Sequence, residues 1–207
     1  MSIFYKYGDK LYVNITNKCS CDCIFCIRRY SDSVGEADSL WLEHEPTLEE
    51  IKAAFDSCNF PGLTPGKAGH TTVGSAEIVF CGYGEPMERA DTVVDVCEYI
   101  KSKSDSLLRL NTNGLVRLIN PEFEINRLQI FDSISISLNA DNAEDYMKVT
   151  NPRFGLQSFG AMLDFVKAAM KFSEVSLTVV KSENVNVEKC RSIAEELGVS
   201  FRVRTSI

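Results

Sequence analysis

Along the chain, apolar positions fall into short β-like runs that alternate with stretches of helical period. This order predicts a parallel sheet whose strands are joined by helices. Strands are expected over Leu11–Thr16, Ala76–Cys81, Leu107–Thr112, Asp132–Leu138, Glu174–Val180 and Ser200–Ser206. Helix starts are readable between them. Thr47 and Glu50 have capping-box spacing before LEEIKAAF, Asp91 precedes TVVDVCEYI, and Ser158 precedes FGAMLDFVKAAM. A further helix is expected over about 187–197, stopped by Gly198.

Parallel strands covered on both faces read as continuous apolar runs, whereas these alternate. Ser133, Ser135 and Ser137 oppose Ile134, Ile136 and Leu138; Tyr12, Asn14 and Thr16 oppose Leu11, Val13 and Ile15. Arg109, Asn111 and Asn113 oppose Leu108 and Leu110, and Arg202 and Arg204 oppose Phe201 and Val203. One face of the sheet is therefore polar and basic. The expected fold is α/β: an open, partial (βα)6 barrel, a parallel six-stranded sheet with helices on its outer face and a wet cavity on its concave side. An antiparallel sheet with one solvated face produces the same alternation. The regular helical stretches favour the barrel.

With 207 residues, 44% hydrophobic and 25% charged, the chain has enough apolar content for one core, and a single domain over 1–207 is expected. A net charge of -7 argues against non-specific nucleic-acid binding, so direct binding of that kind is not indicated. No run approaches the roughly 18 apolar residues of a membrane span and no signal-like start is present, so no membrane partner and a cytoplasmic location are expected. In that reducing setting the eight cysteines point to metal or redox chemistry rather than disulfides. Cys19, Cys21, Cys23 and Cys26 crowd one short segment, while Cys58, Cys81, Cys97 and Cys190 are scattered and read as small packing residues.

Cys19-x3-Cys23-x2-Cys26 follows the first expected strand, at the end where parallel barrels place their chemistry. Thiolates select zinc, Cu(I) or iron–sulfur clusters. Structural zinc wants a second cysteine pair, which is lacking, and neither His44 nor His70 has characteristic spacing. Three cysteines on a four-iron cube leave one iron open, a vacancy that a chelating amino acid such as the methionine part of S-adenosylmethionine (SAM) fills. Cys21 is either a replacement for Cys19 as ligand or a bystander. The wider spacing, which lets the loop wrap a cube, favours the bystander.

The run KCSCDCIFC resembles the CxxxCxφC signature of radical SAM enzymes, with Phe25 at the aromatic position. FCGYGEP, Phe80 to Pro86, resembles the GGEP motif of that superfamily. The resemblance implies a [4Fe-4S] cluster on Cys19, Cys23 and Cys26, with Tyr83, Gly84, Glu85 and Pro86 near the amino group of SAM. Chemically, Gly82 and Gly84 allow close backbone approach to a ligand, and Glu85 offers an acceptor for an ammonium. LRLNTNGL (108–115) and SISLNA (135–140) look like the third- and fourth-strand SAM elements, which implies ribose or carboxylate contacts from Asn111, Asn113, Ser137 and Asn139. Asn113-Gly114 reads equally as a plain turn, and the serines as local strand-end bonding.

The likeness spans nearly the whole chain. It is nearest to the small radical SAM proteins associated with TatD-family nucleases, on the strength of CSCDCIFCIRR, GYGEP and the short length. It implies reductive cleavage of SAM to a 5'-deoxyadenosyl radical that abstracts hydrogen from a small molecule, nucleotide or partner protein. Flavodoxin or ferredoxin is the implied electron donor, and a TatD-family nuclease a possible partner. Arg109, Lys181, Arg202 and Arg204 are candidates for the cavity wall, and with Arg28 and Arg29 they suggest an anionic substrate group. Each reads alone as an ordinary ion pair. The long segment Tyr30 to Pro46, with Trp41, reads as a lid. Phe60 to Ser75, rich in Gly, Pro and Thr, reads as a partner surface or disorder. An iron–sulfur electron carrier using Cys21 as fourth ligand and a zinc-binding interaction module are the rival readings.

Overall fold

The structure, a computed structural model, describes residues 2–63 and 76–205. Seven strands form one sheet in sequential order: β1 (Phe4–Tyr7), β2 (Lys10–Val13), β3 (Glu77–Phe80), β4 (Leu107–Thr112), β5 (Ser133–Ser137), β6 (Glu174–Val180) and β7 (Ser200–Arg204). From β2 to β7 every neighbouring pair is parallel, which removes the antiparallel alternative for the main sheet. Sequence reading expected six strands and missed β1, an antiparallel hairpin partner of β2 turned at Gly8 with φ 63°. Only Tyr5 of its four residues is buried, so β1 leaves no alternation to detect.

Helices α1 (Leu48–Asp56), α2 (Ala90–Lys103), α3 (Val116–Ile119), α4 (Ala143–Thr150), α5 (Gln157–Ala169) and α6 (Val187–Leu197) fill the crossovers. The α1 capping box is present: the Thr47 hydroxyl accepts from the Glu50 amide at 3.3 Å and the Glu50 carboxylate accepts from the Thr47 amide at 2.7 Å. Helix α6 ends at Gly198 in the left-handed conformation, φ 71°, as its sequence requires. Two expected caps are displaced. A 3-10 turn over Pro86–Arg89 feeds straight into α2, so Asp91 lies inside the helix. Ser158 also lies inside its helix, its hydroxyl buried without a partner. Helices α3 and α4 are too short to show a period, and neither was expected.

The alternation in the strands sorts as expected. Leu11, Val13, Ile78, Phe80, Leu108, Leu110, Ile134, Ile136, Leu177 and Val179 join Ile51 and Phe55 of α1, Val93 and Cys97 of α2, Phe165 of α5 and Cys190 of α6 in one core. The opposite parity places Tyr12, Arg109, Asn111, the β5 serines and Arg204 on the concave face. Of the expected loop Phe60 to Ser75, residues 64–75, including His70, lie outside the described residues. No described helix is long and apolar enough to cross a membrane.

Candidate iron–sulfur and SAM site

The loops that follow β2, β3 and β4 pack against one another before they face the cavity. Asn14, fully buried, continues the inner parity of β2. Its amide donates to the Leu40 carbonyl at 2.8 Å, and its oxygen accepts from the Tyr83 backbone at 3.3 Å. A side chain on Gly82 would put its Cβ 2.0 Å from Asn14 Oδ1, and one on Gly84 would lie 2.3 Å from the Thr16 carbonyl. Both glycines line the cavity with their backbone. The space they leave is occupied by the β2 loop rather than by a ligand, which corrects the sequence-based reason for their presence.

Glu85 is the latch of this assembly. Its Oε1 accepts from the Thr112 hydroxyl at 2.7 Å and the Met87 amide at 3.1 Å, and its Oε2 accepts from the Asn113 amide at 2.7 Å. Its own amide donates to the Lys18 carbonyl at 2.8 Å. Three loops are thus fixed by one buried residue. Burial first, and then the charge of Cys19, push its pKa up to about 8 against the hydrogen bonds that lower it. The carboxylate lines the cavity; Oε1 accepts two bonds and Oε2 one, which leaves Oε2 room for a further donor.

Cys19, Cys21, Cys23 and Cys26 all line the same cavity, of about 290 Å3, at the C-terminal mouth of the strands. The loop that carries them is held from outside by α4 and the segment after it. The Asp22 amide donates to the Thr150 carbonyl at 2.9 Å, the Ile24 amide to Val149 at 3.0 Å, and the Arg153 amide to Ser20 at 2.9 Å. Arg28 donates to the carbonyls of Asn17 and Cys21, both at 3.4 Å, and Arg29 to that of Cys23 at 3.0 Å. These two arginines brace the loop instead of offering a site to a substrate anion.

Within the loop the cysteines are not equivalent. The Cys21 amide donates to Cys19 Sγ at 3.4 Å. The Cys21 side chain also bonds Cys19, which lowers the Cys19 pKa to about 7 and pushes Cys21 far up. The direction favours Cys19 over Cys21 as the thiolate, as for a bystander beside a ligand. No group of three described His, Cys, Asp or Glu side chains is placed to grip a single ion. A zinc centre requires such convergence at about 2.3 Å per sulfur, whereas a cube is held corner by corner. His44 does not complete a site: it lies 3.0 Å from Glu50 at the start of α1.

The remaining SAM candidates are gathered in one place. Phe25, Tyr83, Asn111, Asn113, Ser137 and Asn139 line the cavity, and Asn111 Oδ1 is buried without a partner. Asn113 acts first on its own chain: its Nδ2 donates to Ser20 Oγ at 3.0 Å and its Oδ1 accepts from the Leu115 amide at 2.9 Å. Asn139 adopts φ 55° and accepts from the Val180 amide at 3.3 Å. The donor set of three thiols on one loop, beside an orphaned acceptor, fits a [4Fe-4S] cluster with SAM.

Of the four cationic candidates for substrate, the cavity takes one. Arg204 lines it. Arg109 lies nearer the base of the sheet and pairs with Glu77 at 3.2 Å. Arg202 and Lys181 are exposed and outside the cavity. Sequence reading missed Cys81, Tyr146 and Thr150 as lining residues. Cys81 was detectable, since it extends the inner parity of Val79, but the other two lie on the unexpected α4. The segment expected as a lid is packed here as a wall. Tyr5, Leu40 and Tyr83 form a small cluster backed by Val34 and Ala37, Tyr83 donates to the Ser31 carbonyl, and Trp41 packs edge-on against Tyr83 at 5.2 Å.

Comparison with known proteins adds to the picture of a partial parallel barrel with a cysteine loop at its mouth. The chain is 27% identical over 197 residues to a Methanocaldococcus jannaschii protein described as "Probable GTP 3',8-cyclase", covering 92% of this chain and 56% of that one. It thus spans about half the length of the curated relative it matches. A structure of TYW1 with a lysine-pyruvate adduct bound superposes with a TM-score of 0.62 at 14% identity, covering 96% of this chain and 65% of that one. A structure of anSMEcpe with bound AdoMet gives 0.61 at 15% identity, covering 95% and 50%. No protein-family model matches the chain. These likenesses agree with the fold and with the resemblance of the cysteine motif to the radical SAM signature.

Proposed function

We propose that this chain is a radical SAM enzyme in which Cys19, Cys23 and Cys26 hold a [4Fe-4S] cluster and SAM lies beside it in the cavity. The observation that supports this best is that the cysteine loop, Tyr83, Asn111, Ser137 and Asn139 border one cavity. When bound, the reduced cluster supplies the electron that splits SAM into methionine and a 5'-deoxyadenosyl radical, which takes a hydrogen atom from substrate.

The chain itself binds, orients and excludes water. Asn111 Oδ1, orphaned and buried, is suited to accept from a ribose hydroxyl. Phe25 and Tyr83 supply apolar wall, and Glu85 holds the three surrounding loops in register. The substrate is a small molecule, a nucleotide or a partner protein. A flavodoxin or ferredoxin is the expected electron donor, a TatD-family nuclease a possible partner, and the cytoplasm the expected location.

The test is anaerobic reconstitution, reduction with dithionite in the presence of SAM, and chromatography of the products. Methionine and 5'-deoxyadenosine in equal amounts, dependent on the cluster, are expected. An intact cluster without cleavage contradicts the proposal and favours an electron carrier, while zinc content without visible absorption favours the interaction module.

A further inference from the structure

The cavity wall holds a cation for which the described residues provide no counter-charge. Arg204 ends β7 in register with Val180, level with Asn139 at the mouth of the sheet. Among the described residues no carboxylate lies within 4.0 Å of its guanidinium, and its Nε is buried without a partner. Its contact with Ser137 Oγ, at 3.5 Å, is at the outer edge of hydrogen bonding. Burial lowers the Arg204 pKa, yet a guanidinium stays charged in a protein. A desolvated cation without a counter-ion is unfavourable in the free protein, and a bound anion relieves it.

Arg109 and Arg29, by contrast, already have carboxylate partners, Glu77 at 3.2 Å and Asp22 at 2.5 Å. The planar fork of Arg204 matches a carboxylate or a phosphate in two-point geometry. SAM also carries a carboxylate. Its methionine end must reach the cluster on the loop after β2, however, whereas Arg204 lies on β7, the last strand in the order, beside Ser137 and Asn139 at the end of β5. The anion at Arg204 is assigned to the other occupant of the cavity, and SAM affinity in R204Q separates the two.

We propose that Arg204 binds the anionic end of the substrate, a carboxylate or phosphate, and so fixes which part of that molecule faces SAM. The inference rests on the function proposed above. It tells a substrate with a fixed negative end from a neutral one.

Titration calorimetry with inorganic phosphate as probe tests it, on the cluster-free and the reconstituted protein, for wild type, R204Q, R204K and the exposed control R202Q. Phosphate binding is expected in wild type and R202Q, at least tenfold weaker in R204Q, and partly restored in R204K. Thermal melts check that each variant is folded. SAM affinity, measured on the reconstituted proteins, is expected to be unchanged in R204Q, and saturating methionine is expected to leave phosphate binding intact. No phosphate binding by wild type, or equal binding by R204Q, overturns the proposal. A parallel loss of SAM affinity in R204Q overturns it too, because Arg204 then serves the SAM carboxylate. If the enzyme reading fails, the wild-type cluster does not respond to SAM, and the phosphate result on cluster-free protein still stands by itself.

Discussion

Glu85 Oε1 accepts a hydrogen bond from the Thr112 hydroxyl at 2.7 Å, with both residues buried. Together with the Asn113 and Lys18 contacts, that bond joins the mouths of β2, β3 and β4. Glu85→Gln would turn an amide donor toward a backbone donor, leaving a buried polar group unmet at about 1–3 kcal/mol. For a chain of this size that is roughly 2–4 °C in Tm per kcal/mol. A melt of the cluster-free variant matching wild type would contradict the structural role of Glu85.

Gly84 and Gly160 give opposite outcomes to the same substitution. A Cβ on Gly84 meets the Thr16 carbonyl at 2.3 Å, whereas nothing lies within 4 Å of one on Gly160, on the exposed face of α5. Gly84→Ala should destabilise by about 1–3 kcal/mol or more, because the obstruction is backbone. Gly160→Ala should stabilise by about 0.5–1 kcal/mol through helix propensity. Urea unfolding of the two variants checks both signs.

The cysteines separate by role. Cys19→Ala, Cys23→Ala and Cys26→Ala are each expected to abolish stable cluster assembly, read as iron and sulfide content after anaerobic reconstitution. Cys21→Ala is expected to keep it, since Cys21 donates to Cys19. Loss of the cluster in the Cys21 variant alone would reassign the ligand set.

Asn14 holds the 31–46 wall to the sheet through Leu40 and Tyr83. Asn14→Ala removes those buried bonds and is expected to destabilise by about 1–3 kcal/mol. Proteolysis within 31–46 should quicken with it. Unchanged cleavage would mean that the aromatic cluster alone fixes the wall.

Strand parity made the barrel legible, because in most of the parallel strands the buried aliphatic side chains and the polar inner face alternate with period two; β3, with Ile78, Val79 and Phe80 all buried, is the exception. The cysteine loop was legible because four thiols so close in sequence are more than packing needs, even though Cys21 is also buried in the core. What stayed hidden is where side chains serve the chain before any ligand. Glu85, Asn113, Arg28 and Arg29 look like binding groups in sequence, yet each is engaged by neighbouring backbone. Period two also cannot tell depth along a strand. Arg109 and Arg204 share a face, but one pairs with Glu77 while the other lines the cavity.

Low-temperature electron paramagnetic resonance of the anaerobically reconstituted, reduced protein, with and without SAM, addresses the central claim most directly. A [4Fe-4S] signal that changes on adding SAM is the result predicted for a cube held by Cys19, Cys23 and Cys26 with one iron open. Absence of that signal, or a signal indifferent to SAM, contradicts it.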